Sequence, residues 1–141
     1  MILISCGFKP IYSSKSSNFE IIEITNNNEN KNSFTVEKIV MSLSNKDASR
    51  KVKLDLDYKH SITTILKDSK GDPSKKKLII SVDLKVKNEI DNILANKSFI
   101  EEFSYNVQSD KFSMSQYEDS ITSNLNNKIS NDIIFLLGTL K

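Results

Sequence analysis

The chain has 141 residues, long enough for one domain that buries roughly two-thirds of its unfolded surface. Twenty Lys plus Arg against 18 Asp plus Glu leave a net charge of +2, too close to neutral for a nucleic-acid binder driven by bulk electrostatics. Three Gly, one Cys and one His exclude a glycine-rich phosphate loop, a multi-cysteine zinc site and an internal disulfide. No stretch approaches the roughly 18 apolar residues of a membrane-spanning helix, Ile133 to Leu137 being the longest candidate.

Leu3, Ile4, Ser5 and Cys6 give two apolar residues, a small residue and a cysteine, which resembles the lipobox of bacterial lipoproteins. That resemblance implies a diacylglycerol thioether on Cys6 and an acyl chain on its amino group. Each buried methylene contributes roughly 0.8 kcal/mol, so several chains anchor where one is marginal. Only Met1 to Ser5 precede the cysteine, fewer than the apolar stretch of about 7 to 15 residues that export needs. The true start is therefore expected upstream, with residues 1–18 a truncated signal remnant, the lipobox cysteine and a tether. The tether reading comes from residues 7 to 18, which combine Gly7, Pro10 and a Ser-rich run. The competing reading of Cys6 is an incidental free thiol on a disordered tail.

Residues 19–141 are expected to form one domain. Phe19 to Ile24 is short, β-branched and ended by Asn26, Asn27 and Asn28, which predicts a strand and a loop. Val36, Ile39, Val40 and Leu43 recur at helical spacing, with Asn32 or Ser33 placed to cap that helix. Val52, Leu54, Leu56 and Tyr58 alternate with Lys53, Asp55, Asp57 and Lys59, a strand with one buried face that continues to Leu66. Lys67 to Lys77, with Gly71 and Pro73, reads as a connection, and Leu78, Ile80, Val82, Leu84 and Val86 mark the return strand. Phe99, Phe103, Tyr105 and Val107 predict a further strand over residues 98 to 108. Ser113 with Gln116 forms a capping-box pattern ahead of Met114, Tyr117, Ile121, Leu125, Ile129, Ile133, Leu136 and Leu140, a long amphipathic helix. The order β-α-β-β-β-α predicts an α+β two-layer sandwich: a four-stranded antiparallel sheet with two helices on one face.

His60 has no accompanying nucleophile and carboxylate pattern, and is expected on the solvent face. Asp55 with Asp57, and Glu101 with Glu102, lack metal-ligand spacing and read as solvated strand faces. No catalytic residues, metal ligands or cofactor are expected. Lys67, Lys70, Lys75, Lys76 and Lys77 make a basic connection suited to an anionic partner through point-charge contacts.

Cys6-Gly7-Phe8-Lys9-Pro10-Ile11-Tyr12 as a unit resembles the start of the mature outer-membrane lipopolysaccharide-assembly lipoproteins, the LptE family. Phe103 to Tyr117 is similar to that family's last strand and helix, while residues 25 to 97 match in pattern only. The resemblance implies a lipid-anchored protein on the periplasmic side of the outer membrane, held in its inner leaflet. It would plug and help assemble the large β-barrel lipopolysaccharide translocon (an LptD-like partner) and aid delivery of lipopolysaccharide to the surface. Gly7 stands where an aspartate retains many lipoproteins in the inner membrane, which agrees with outer-membrane sorting. Basic residues are implicated in lipopolysaccharide contact in the family, so Lys70, Lys75, Lys76, Lys77 and Lys111 are the candidates here. The alternative is a stand-alone periplasmic lipoprotein that binds a lipid or peptide on an apolar open sheet face. A nucleic-acid module is disfavoured by charge and by the lack of paired exposed aromatics on a sheet face.

Overall fold

The structure, a computed structural model, describes residues 17–141. Cys6 and the tether up to residue 16 lie outside the described residues. The elements are β1 (Glu20–Asn26), α1 (Lys31–Met41), β2 (Lys51–Lys67), β3 (Pro73–Lys87), β4 (Ile93–Asn106) and α2 (Lys111–Thr139), in sheet order β1-β2-β3-β4. The fold is α+β in the expected element order, but the sheet is mixed. β2, β3 and β4 form an antiparallel meander, whereas β1 runs parallel to β2, with Ile21 beside Val52 and Ile24 beside Leu54. The all-antiparallel expectation fails here because α1 carries the chain back to the end where β1 began, so β2 sets out in the same direction.

Alternation sets the buried face. Val52, Leu54, Leu56 and Tyr58 of β2, and Leu78 through Val86 at every second residue of β3, point under the helices and are buried. They meet Val36 and Val40 of α1 and a stripe along α2 that includes Ile121, Leu125, Ile129, Ile133 and Leu137. The stripe also buries Asn126 and Ser130. Asn126 accepts a 2.9 Å hydrogen bond from the Tyr58 hydroxyl, and Ser130 donates to the Asn126 carbonyl at 2.7 Å. Burial pushes the Tyr58 phenol up to about 12, against a smaller lowering by the Asn126 bond.

Both helices start earlier than the apolar periodicity indicates. Asn30, not Asn32 or Ser33, caps α1, accepting from the N–H groups of Asn32 and Ser33 while Ser33 reciprocates. Asp110, not Ser113, caps α2, and the Ser113 hydroxyl and backbone N–H hold its carboxyl below the usual range. Strand β4 begins at Ile93 rather than residue 98, and the lysines at 75 to 77 belong to β3 rather than to the connection. Phe103 and Tyr117 are partly exposed because β4 is an edge strand, with no neighbour on its outer side among the described residues. His60 shares the parity of Tyr58 and so lies on the helix side, its Nε2 3.4 Å from the Thr122 hydroxyl of α2, though it remains exposed.

The two hairpin turns share one design. Asp68 and Asn88 each accept two backbone N–H groups through the side chain, from Lys70 and Asp72 in the first turn and from Ile90 and Asn92 in the second. Each needs one residue at positive φ: Gly71 at 88° and Asp91 at 64°. A Cβ on Gly71 would meet nothing within 4 Å, so Gly71→Ala should cost only the left-handed backbone penalty, about 1–2 kcal/mol. Urea unfolding at unchanged m checks this; no loss would mean that the turn relaxes into another conformation.

Candidate functional site

The β2–β3 hairpin tip and the start of α2 lie at one end of the sandwich, and the five candidate lysines divide there between two faces. Lys76 is on the helix side and Lys111 opens α2. Together they line a groove of about 530 Å³ with Asp72, Pro73, Met114 and Glu118. Lys75 and Lys77 point to the opposite, uncovered face, and Lys70 sits in the turn. The structure thus brings Lys76 and Lys111 together and separates them from Lys75 and Lys77.

Two of these charges are already partnered. Lys76 Nζ lies 3.7 Å from Glu118, and Lys77 Nζ is 3.1 Å from Glu102. Glu118 also accepts a 2.6 Å hydrogen bond from the Tyr105 hydroxyl. The Tyr105 phenol is raised, first by burial and then by Glu118, so it stays a donor. Lys70, Lys75 and Lys111 make no ion pair among the described residues. Glu118 and Asp72, the acids of the groove, were missed by the sequence reading. Helical spacing places Glu118 one turn after Met114, but nothing local shows that β3 will lay Lys76 beside it.

The uncovered sheet face is dominated by charge. Lys87 pairs with Asp55 at 2.7 Å and Lys53 with Asp91 at 3.0 Å, while Lys59 lies 3.5 Å from both Asp57 and Asp83. These acids hold the Lys59 ammonium above its usual range, Asp57 contributing most. Ile79 and Ile100 are diagonal neighbours on this face, with Leu66 and Leu94 at its two ends. At the sheet's other end, Arg50 Nη2 donates to Asn18 at 3.1 Å and also to the Leu137 carbonyl, fixing the domain entry beside the end of α2. No group of His, Cys, Asp and Glu among the described residues is arranged to hold a metal ion.

With this geometry in hand, comparison with solved structures is informative. The fold matches a lipoprotein B from Nitrosomonas europaea described as uncharacterized, with TM-score 0.67 and 11% identity over 94% of this chain and 90% of that one. It also matches a minor lipoprotein from Acinetobacter baumannii, with TM-score 0.65 and 10% identity over 86% and 91%. Rare lipoprotein B from Shewanella oneidensis follows with TM-score 0.62 and 13% identity over 83% and 91%. The chain has the fold of these bacterial lipoproteins. No protein-family model and no curated protein matches its sequence.

Proposed function

We propose that this chain is a lipid-anchored outer-membrane protein facing the periplasm. It plugs and helps assemble the lipopolysaccharide-translocating β-barrel and aids delivery of lipopolysaccharide to the cell surface, catalysing no reaction. The observation that carries this reading is a fold shared with bacterial lipoproteins along most of the chain, behind a cysteine in a lipobox-like setting. The outward face of α2 supports it. Ser120, Ser123, Asn124, Asn127 and Asn131 are exposed, polar and uncharged, a surface suited to a water-lined barrel lumen. A lipid tether would raise the local concentration of the domain at the barrel. Covalent lipid on Cys6 is the only added group this function needs.

Affinity purification from outer membranes in mild detergent, of a version that carries an export signal, tests the reading. A roughly equimolar large β-barrel is expected; a folded, lipidated protein without one would favour the stand-alone lipoprotein. The charged ladders of the uncovered sheet face suit that second reading less, since it calls for an apolar groove there.

Lipopolysaccharide contact is assigned to Lys70, Lys75, Lys76, Lys77 and Lys111, with the Lys76–Lys111 groove as its centre. Reversing Lys75, Lys76, Lys77 and Lys111 to Glu should weaken lipopolysaccharide binding at least about tenfold at low salt. The difference should shrink as salt shortens the screening length from about 30 Å at 0.01 M to about 3 Å at 1 M. Titration calorimetry at both salts reads it, and an unchanged affinity would reduce the lysines to ordinary surface.

A further inference from the structure

Strand β4 is the outermost strand of the sheet, and among the described residues nothing pairs with its outer edge. The Val107 N–H donates to the Ser74 carbonyl at 3.0 Å, so by alternation the odd-numbered residues from Ala95 to Tyr105 turn their backbone groups to β3 and the even-numbered ones between them turn theirs outward, up to the bulge that shifts the register before Ala95. Large apolar side chains gather at this edge: Ile93, Leu94, Ile100 and Phe103 are exposed, as is Phe135 on the neighbouring turn of α2. A groove of about 430 Å³ runs between edge and helix, lined by Phe99, Ile100, Phe135 and Leu136.

We propose that this edge pairs with the same edge of a second copy of the chain, antiparallel, about a twofold axis through Phe99. Charge complementarity on the strand favours this occupant and this register. Lys97 and Glu101 lie on the helix side of β4, two residues either side of Phe99, so each Lys97 faces Glu101 of the second copy. A lone charge at such a position is a common device against edge pairing. Here the two charges are opposite in sign: Glu101 is held at 2.7 Å by Lys128 of its own α2 and Lys97 lies over the Phe99 ring, 5.3 Å from its centre, and in the pair each Lys97 adds a second cation to the Glu101 of the other copy. Moving the axis two residues sets Lys97 against Lys97 or Glu101 against Glu101, and like charges directly opposite destabilise a pair. The Phe99 register also pairs the regular part of the strand, from Ala95 to Phe103. It puts Ser98 opposite Ile100, both with outward backbone groups, as a hydrogen-bonded pair flanking a non-hydrogen-bonded Phe99 pair must be. The two helix layers then share one side of a continuous eight-stranded sheet, and both Phe135 side chains turn toward the seam. The inference does not rest on the barrel reading.

Sedimentation equilibrium of the full chain under reducing conditions, up to ~200 μM, tests it. Twice the 16.0 kDa chain mass is expected. Lys97→Glu and Glu101→Lys should each raise the dissociation constant at least about tenfold, and the variant K97E/E101K/K128E, which keeps position 101 paired with position 128 of its own chain, should restore the dimer. Circular dichroism of the single variants checks that they remain folded. Hydrogen exchange should show the even-numbered amides from 96 to 102 gaining protection as concentration rises. A 16.0 kDa species throughout, or a dimer indifferent to both single reversals, overturns the proposal. Protection of these amides only when outer-membrane extract is added also overturns it, in favour of a strand from another protein.

Discussion

Ile133→Ala should lower the free energy of unfolding by about 2–5 kcal/mol, seen as a lower urea midpoint at unchanged m. Ile133 is fully buried, between Ile129 and Leu137 one turn away on either side, both also fully buried. These residues fix α2 over the sheet, and α2 is also the partner of α1, so a cavity here loosens the join between both layers. The surroundings collapse poorly, because the rest of the stripe includes the hydrogen-bonded Asn126 and Ser130, whose partners hold them in place. Local propensity offers little compensation: α2 is rich in Ser and Asn, which compete for backbone hydrogen bonds in non-helical conformations. Ile90→Ala is the control. Ile90 is 75% exposed in a hairpin turn, and the change should stay within about 0.5 kcal/mol. A loss at Ile133 no larger than that at Ile90 would mean that α2 does not pack through this stripe.

Cys6→Ala, in a version of the protein with an export signal, should move the protein from the membrane pellet to the soluble periplasmic fraction. No described helix is long and apolar enough to cross a membrane in its place. One acyl chain holds a protein only marginally, whereas two or more hold it stably, so the shift should be nearly complete for molecules in excess of any barrel partner. Fractionation with metabolic palmitate labelling reads location and lipid together. A variant that stays membrane-bound without label and without a barrel would remove the anchor reading; one that stays there with a barrel attached would mean that protein contacts outlast the tether.

The strands that were plain in the sequence are those with one face in the core. Val52 to Tyr58 and Leu78 to Val86 alternate because every second residue is buried, and the structure buries those same residues. The lysines at 75 to 77 concealed the start of β3, since three successive cations show no period of two. Ile93 and Leu94 are exposed at an edge, so nothing in their pattern marked where β4 begins. The direction of β1 was not legible from hydrophobicity at all, being set by the path of α1 rather than by the strand. The same limit applies to the site. Lys76 and Lys111 share a groove only because β3 and α2 meet there, 35 positions apart in the chain, and the counter-charge of Glu118 depends on that meeting.

The parallel pairing of β1 has a mechanical consequence. The chain enters β1 at its Glu20 end, with Asn18 beside the last turn of α2, and β1 then runs alongside β2 toward the hairpin tip. If the tip is held while the tether is drawn taut, the pull acts along the strand axis. The β1–β2 hydrogen bonds are then sheared together instead of being peeled apart one by one. A strand of seven residues loaded in this way resists far better than the same strand zipped open from its end. An anchored domain can thus take up slack in its tether without unravelling from the end to which that tether is tied.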